Sequence, residues 1–239
     1  LVNIQNIPGL DYIKGNGKDS LRFGALTTIR SIELSPIIQK DYIILYEAAH
    51  QLPSLQVKSM GTLVGNLCVG TPASDMATSL FALDAELKIV NKNGEKNMPI
   101  KDFYLGPGET ALKQGEIVTG VILPGVKPGT GGSFQHLVRT KADISKVCVA
   151  VMETIAEGTC QEAKIALGAV APTVFRAEKA EKILKGRKLD QDVIETGAKA
   201  AAEETKPITD LRSNAEYRKE TTRVLVKRAL IKALERVNP

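Results

Sequence analysis

Between Val57 and Asp75 the chain gathers Gly61, Gly65 and Gly70, the hydroxyls of Ser59, Thr62, Thr71 and Ser74, the carboxamide of Asn66 and the carboxylate of Asp75. Gly61 and Gly65 lack a Cβ, so a ligand can approach the backbone closely there. Backbone N–H groups freed in such a turn can form an anion-binding nest. Asn66 both donates and accepts hydrogen bonds, and Asp75 is an acceptor suited to a ribose hydroxyl. Pro72 breaks the chain, Ser74 can cap, and Met76 to Leu83 reads as a helix. A glycine-rich turn running into a helix start has the parts of a phosphate or nucleotide site. The spacing matches neither the dinucleotide fingerprint nor a P-loop. On spacing alone, a surface turn between a strand and a helix is the commoner arrangement.

Composition narrows the chemistry. The chain has 239 residues, 43% of them hydrophobic and 25% charged, as in an ordinary globular protein with a core large enough to need no staples. No apolar run approaches a membrane span, and no secretory pattern is present. Cys68, Cys148 and Cys160 form no Cys-x-x-Cys pair, which points away from zinc and iron–sulfur ligation and suits a reducing cytoplasm. His50 and His136 are too few for an all-protein metal site, so none is expected. Trp is absent and aromatics are 4%, which argues against a base-stacking nucleic-acid surface. The net charge is +5, with a dense basic group from Arg218 to Lys232 interleaved with Glu216, Glu220 and Glu235. That reads as a solvated helix face or a subunit contact. No side-chain nucleophile or triad is visible, and no catalytic residue is assigned.

The order of residues is more specific than their spacing. Thr62-Leu63-Val64-Gly65-Asn66 and then Thr71-Pro72-Ala73-Ser74-Asp75 resemble the second flavin motif of the FAD-binding (medium) subunit of molybdenum hydroxylases, the group of carbon monoxide, nicotinate and xanthine dehydrogenases. Members read Thr-Ile-Gly-Gly-Asn and Ser-Pro-Ala-Ala-Asp there. Val64 departs, standing where the first glycine of the pair is usual. The likeness continues through Leu21-Arg22-Phe23-Gly24-Ala25-Leu26-Thr27-Thr28, Asp102-Phe103-Tyr104-Leu105-Gly106-Pro107-Gly108 and Gly115-Glu116-Ile117-Val118-Thr119, and on to the C-terminal helix.

This resemblance implies FAD as cofactor. It also implies two partners, a large subunit carrying the molybdenum cofactor and a small subunit with two iron–sulfur clusters, and an external electron acceptor. By the same resemblance Gly61, Thr62, Leu63, Val64, Gly65 and Asn66 surround the pyrophosphate, and Asp75 binds the adenosine ribose. Leu52, Pro53 and Val118 line the flavin, although Leu52 is equally well explained as core. Alternation along the strand makes Ile117 the core residue and leaves Val118 for the flavin. A family lysine that reaches the flavin has no counterpart; Gln135 and His136 occupy its two possible positions. Gln135 can donate to a flavin carbonyl, while His136 is better explained as solvent-facing. The family's other flavin loop, of Ala-Gly-Gly-Thr-Asp-Leu type, does not occur in this sequence, so the chain is expected to lack the N-terminal lobe. The alternative is a docking module of such a complex, or half of a split FAD site.

The expected architecture is α+β in two parts. Residues 1–126 form the rest of the FAD-binding domain, a mixed sheet with flanking helices, and residues 127–239 an antiparallel sheet with a helical bundle. In chain order we expect an extended run from Leu1 to Leu10, a turn at Gly15-Asn16-Gly17, and a strand at Leu21–Leu26 with a threonine cap. A helix then runs from Pro36 to His50. A hairpin turns at Asn91 to Gly94, and a strand spans Gly115–Pro124. Val126 to Gly132 is the linker. A meander runs from Ser133 to Val170. Helices follow from Phe175, from Leu189 and, with a capping box at Ser213 to Glu216, to the C-terminus.

Overall fold

The computed structural model describes residues 3–237. The first part contains β1 (Ile13–Gly15), β2 (Ser20–Gly24), α1 (Ile29–Leu34), α2 (Pro36–Asp41), α3 (Ile43–Gln51), α4 (Leu55–Met60), α5 (Leu63–Cys68), α6 (Asp75–Ala82), β3 (Glu86–Asn91), β4 (Gly94–Pro99), the short hairpin β5 (Tyr104–Gly106) and β6 (Glu109–Thr110), and β7 (Ile117–Pro124). The second contains β8 (Thr130–Leu137), β9 (Val147–Ala156), β10 (Thr159–Gly168), β11 (Phe175–Arg176), α7 (Glu178–Leu184), α8 (Gln191–Glu203) and α9 (Ala215–Val237).

The first sheet runs β1-β2-β7-β3-β4, and every pairing in it is antiparallel. This corrects the mixed sheet expected from the resemblance. Tight connections such as Lys92-Asn93 join neighbours directly, and a parallel neighbour would need a long crossover. The second sheet runs β11-β10-β9-β8, also antiparallel, as expected of the meander. Its β9–β10 turn places Glu157 and Gly158 at positive φ, the two-residue geometry that matches strand twist.

Local differences have local causes. Asn3 to Leu10 forms turns rather than an extended run, and Leu1 and Val2 lie outside the described residues. The helix expected from Pro36 breaks at Tyr42, whose phenol is fully buried and donates to Pro124 O at 3.0 Å. The glycine-rich stretch is largely helical, forming α4 and α5. The expected linker is shorter than its glycines suggest, because Gly131 and Gly132 belong to β8. A Cβ on Gly131 would fall 2.0 Å from Ala233 O, so the residue serves the approach of α9. Phe175 starts as β11 before α7 begins. Asn214 Oδ1, in place of the expected Ser213, accepts the Tyr217 N–H at the start of α9.

The cores explain the layering. β9 is buried along most of its length because both of its faces are covered. Val147, Val149 and Val151 face α7, α8 and α9 in one core. Cys148, Ala150 and Met152 alternate to the other face and join the first core with Phe134 and Ala166. Helix α6 is buried on every residue, packed against β9, β10 and α3. Its hydroxyls bond to backbone, Thr78 to Ser74 O and Ser79 to Ile44 O, which removes the cost of burying them. The open edge of β8 is closed by side chains. Glu47 Oε2 accepts the Phe134 N–H at 2.8 Å, and Arg236 donates to Gly132 O at 2.7 Å.

Candidate functional site

The start of α5 is built back to back with the start of α1. Thr28 caps α1 and Thr62 caps α5, and the two threonines form an antiparallel bridge. Ile29 N–H donates to Gly61 O at 2.9 Å, and Leu63 N–H donates to Thr27 O at 3.0 Å. Thr62 Oγ1 accepts the Gly65 N–H at 3.0 Å. The turn from Gly61 to Gly65 is therefore fixed from behind by the first strand–helix unit. Lys58 anchors α4 one turn earlier, reaching inward to Glu33.

The outer side of this turn is bare. Leu63, Val64 and Leu67 point into the first core, and Gly65 is exposed with only Thr62 Oγ1 near its missing Cβ. Val64 is buried, so the departure from the usual glycine leaves the outer face clear. Asn66 Oδ1 accepts from Ser74 Oγ at 2.6 Å, while its Nδ2 has no hydrogen-bond partner among the described residues. Ser74 Oγ in turn accepts the Ala77 N–H and caps α6. Gly70, at φ +68°, gives its carbonyl to Gly108 N–H at 2.9 Å, which ties the loop to the β5–β6 hairpin.

Asp75, the expected ribose acceptor, is already engaged within the protein. It is buried at the first turn of α6. Ser145 Oγ donates to its Oδ1 at 2.8 Å, and His136 Nδ1 lies 3.2 Å from its Oδ2. Ser145 Oγ is also 3.2 Å from His136 Nδ1. The next residue pins this group. Lys146 N–H donates to Leu137 O at 2.8 Å, and Lys146 O accepts from Arg218 at 2.7 Å. Burial, and then the nearby Asp75, push the Cys148 thiol well above its ordinary range, so it is a neutral packing residue.

The remaining candidates divide. Leu52 ends α3 half-buried against the first core, and Pro53 follows it exposed, both just before α4. Val118 is buried in the first core, whereas Ile117 is 43% exposed, the reverse of the expected alternation. The cause is an irregularity in the β3–β7 register. Lys88 pairs with Gly120 but Ile89 pairs with Val118, so Thr119 is skipped and the faces exchange. Gln135 does not join the group. It shares the helix-facing side of β8 with Leu137 and donates to Ser133 Oγ at 3.1 Å. His136, on the opposite face with Phe134, is the residue that reaches Asp75. Its alternation with Phe134 was a usable signal; Ser145 had none in the sequence.

One other feature lies apart from this surface. A cleft of about 610 Å³ opens at the C-terminal end of α6, lined by Phe81, Asp84, Ile100, Arg176, Glu181 and Lys185 among others. Its central Arg176 is already paired with Asp84 and Glu181. Among the described residues no group of three His, Cys, Asp or Glu side chains could hold a metal ion, and no helix is long and apolar enough to cross a membrane.

Residues 1–126 match the family model described as FAD binding domain in molybdopterin dehydrogenase, and residues 132–233 match the CO dehydrogenase flavoprotein C-terminal domain. The chain belongs to the FAD-binding subunit family of the molybdenum hydroxylases. It is similar to the carbon monoxide dehydrogenase medium chain of Hydrogenophaga pseudoflava, with 31% identity over 96% of this chain and 80% of that one. The nicotinate dehydrogenase FAD-subunit of Eubacterium barkeri is 26% identical over 99% of this chain and 81% of its own length. A solved structure of carbon monoxide dehydrogenase from Hydrogenophaga pseudoflava, lacking the Mo-pyranopterin moiety of its cofactor, superposes with a TM-score of 0.94 at 33% identity. It covers 98% of this chain and 81% of that one. As a member of this flavoprotein family the chain is an oxidoreductase component of a multi-subunit enzyme, and its cofactor is FAD.

Proposed function

We propose that the chain holds FAD against the outer face running from Thr62 to Asn66 and on to Asp75. There it passes electrons from iron–sulfur clusters on a small partner subunit to an external acceptor, with the substrate oxidised at a molybdenum cofactor on a large subunit. The observation that carries the binding half is the Gly61–Asn66 turn. Its apolar side chains turn inward, Gly65 leaves the outer face open, and the Asn66 Nδ2 is unengaged among the described residues. These features fit a phosphate-bearing group approaching the backbone closely.

FAD, when bound, supplies the electron-accepting and electron-donating chemistry. The chain's own residues have three tasks. Thr62 and the α1 start fix the turn, Gly65 and Asn66 offer the close approach and a donor, and exposed Ile117 with Pro53 supplies apolar cover. The absence of a nucleophile agrees with that division.

The test is a visible absorption spectrum of the purified chain, with extraction and chromatography of the flavin, repeated with the partner subunits present. FAD in either preparation, lost on Asn66→Leu, supports the reading. No FAD in either one overturns it.

A further inference from the structure

Glu153 is a carboxyl with no part in the FAD face. It is fully buried, and neither of its oxygens has a hydrogen-bond partner among the described residues. Its place in the register shows what lies over it. Glu153 follows Val147, Val149 and Val151 on the face of β9 that the helices cover. Its neighbours across the ladders are Gly131 on β8 and Ala163 on β10. A Cβ on Gly131 would lie 2.0 Å from Ala233 O and 3.0 Å from Val237 N, so the last turn of α9 comes down on the sheet beside Glu153. That end of a helix carries the negative pole of its dipole.

Among the described residues no cation answers a charge at this position. Lys232 and Arg236, on the same turns of α9, are turned to Glu47 on α3, at 2.8 Å and 2.7 Å, and Arg236 also donates to Gly132 O. On β8, Gly131 and Ser133 bring no ionisable group, and the buried residues of α7 and α8 carry none. On β10 the titratable neighbour is Cys160, which burial, and then Glu153, push up to about 12, so it stays neutral. Glu153 itself is pushed up to about 8 by burial, so it too is neutral while α9 is seated. An ionised carboxylate calls for water, and lifting the end of α9 is the movement that admits it.

We propose that Glu153 is a proton-held latch under α9. Its neutral carboxyl lets the last turns of the helix lie on β8 and β9. Lifting those turns hydrates the carboxyl, which gives its proton to solvent. The same movement withdraws Lys232 and Arg236 from Glu47, so the grip of the second part on α3 loosens, and the β8 edge is bared at Gly132. A proton bound when the helix end is seated and lost when it lifts makes lifting more frequent as pH rises from about 4.5 to about 8, and no more frequent above that. Glu47 titrates below this range. Burial raises its pKa, but the bonds from Arg236, Lys232 and the Phe134 N–H outweigh it and hold it under the usual carboxylate value.

The test is amide hydrogen exchange of the purified protein, read by mass spectrometry at roughly pH 5.5, 6.5 and 7.5 and corrected for the intrinsic rate. Amides of residues 231–237 are expected to open more readily than those of β9. They should do so about tenfold more often per pH unit, the mark of one released proton. Glu153→Gln cannot ionise and should make that opening independent of pH. A change in its overall stability moves every pH point alike and leaves the slope readable, and Glu153→Met takes its place if the amide prevents folding. A flat wild-type profile at residues 231–237 overturns the proposal, as does a slope that persists in Glu153→Gln. So does an opening of residues 231–237 equal to that of β9 at every pH, because the helix end then leaves the sheet only when the whole protein unfolds.

Discussion

Lys58 Nζ lies 2.8 Å from Glu33 Oε1, with both side chains buried behind the Gly61 turn. Arg30 and His50 reach the same carboxylate. Burial alone would raise the Glu33 pKa, but the bonds from Lys58, Arg30 and His50 outweigh it and bring it down to about 2. A carboxylate with a depressed folded pKa adds stability above its unfolded pKa and loses it as pH falls through the folded one. The wild type should therefore lose stability between about pH 4.5 and pH 2, and Glu33→Gln should flatten that decline, as read from urea midpoints across the range. Lys58→Met, which removes the buried partner but leaves Arg30 and His50 on the carboxylate, should cost about 1–3 kcal/mol.

Glu153 is the opposite case. It is fully buried on β9, and neither oxygen has a hydrogen-bond partner among the described residues. Burial pushes its pKa up to about 8, so it is neutral in the fold. The unfolded chain ionises from about pH 4.5, so unfolding releases a proton and stability falls with rising pH until about 8. Glu153→Met should unfold at a higher temperature than wild type. The gap should widen between pH 5 and 8 by up to about 1.4 kcal/mol per pH unit, then level off. A pH-independent gap would count against it.

The exchange of faces on β7 separates two neighbours. Val118→Ala should cost about 1–3 kcal/mol in urea unfolding and leave FAD affinity unchanged, because its side chain fills the first core. Ile117→Ser should leave unfolding almost unmoved and raise solvent access to the flavin, read by iodide quenching of flavin fluorescence. The reverse pattern would show that the register irregularity is not there.

Gly70 holds φ +68°, and a Cβ there would lie 3.1 Å from the Gly108 backbone. Gly70→Ala should therefore cost about 1–3 kcal/mol through backbone strain alone. FAD affinity should fall with it, since the same loop joins Asn66 to Asp75.

Glu47 receives Lys232, Arg236 and the Phe134 N–H. Glu47→Ala leaves the β8 edge open and two cations unpaired. It should split a single urea transition into two and make the segment near Gly129 sensitive to limited proteolysis. A single transition at the wild-type midpoint would refute this.

Much of the fold was legible because the signals were local. The Asn91–Gly94 turn, the apolar run of β9 and the alanine-rich α8 each carry their structure in adjacent residues. The site was legible only where the chain was contiguous. Thr62, Gly65 and Asn66 stand together at the start of α5, but the bonding of Asp75 depends on Ser145, seventy positions away. Gln135 and His136 are neighbours on a strand, and beyond the alternation with Phe134 it is the pairing with β9 that fixes which of them faces α6. Val118 failed for a related reason, because an unpaired Thr119 in a ladder leaves no mark in the sequence.

The sandwiching of β9 bears on how such subunits can be recombined. Phe134, Cys148, Ala150, Met152 and Ala166 follow the expected division at residue 126 in sequence, yet they pack in the core of what precedes it. A chimera joining the front of one relative to the back of another at that point would pair halves of a core never selected together. Its success should track how well the inner-face residues of β8, β9 and β10 match the α3 and α6 they are given, and much less how alike the two parents are elsewhere.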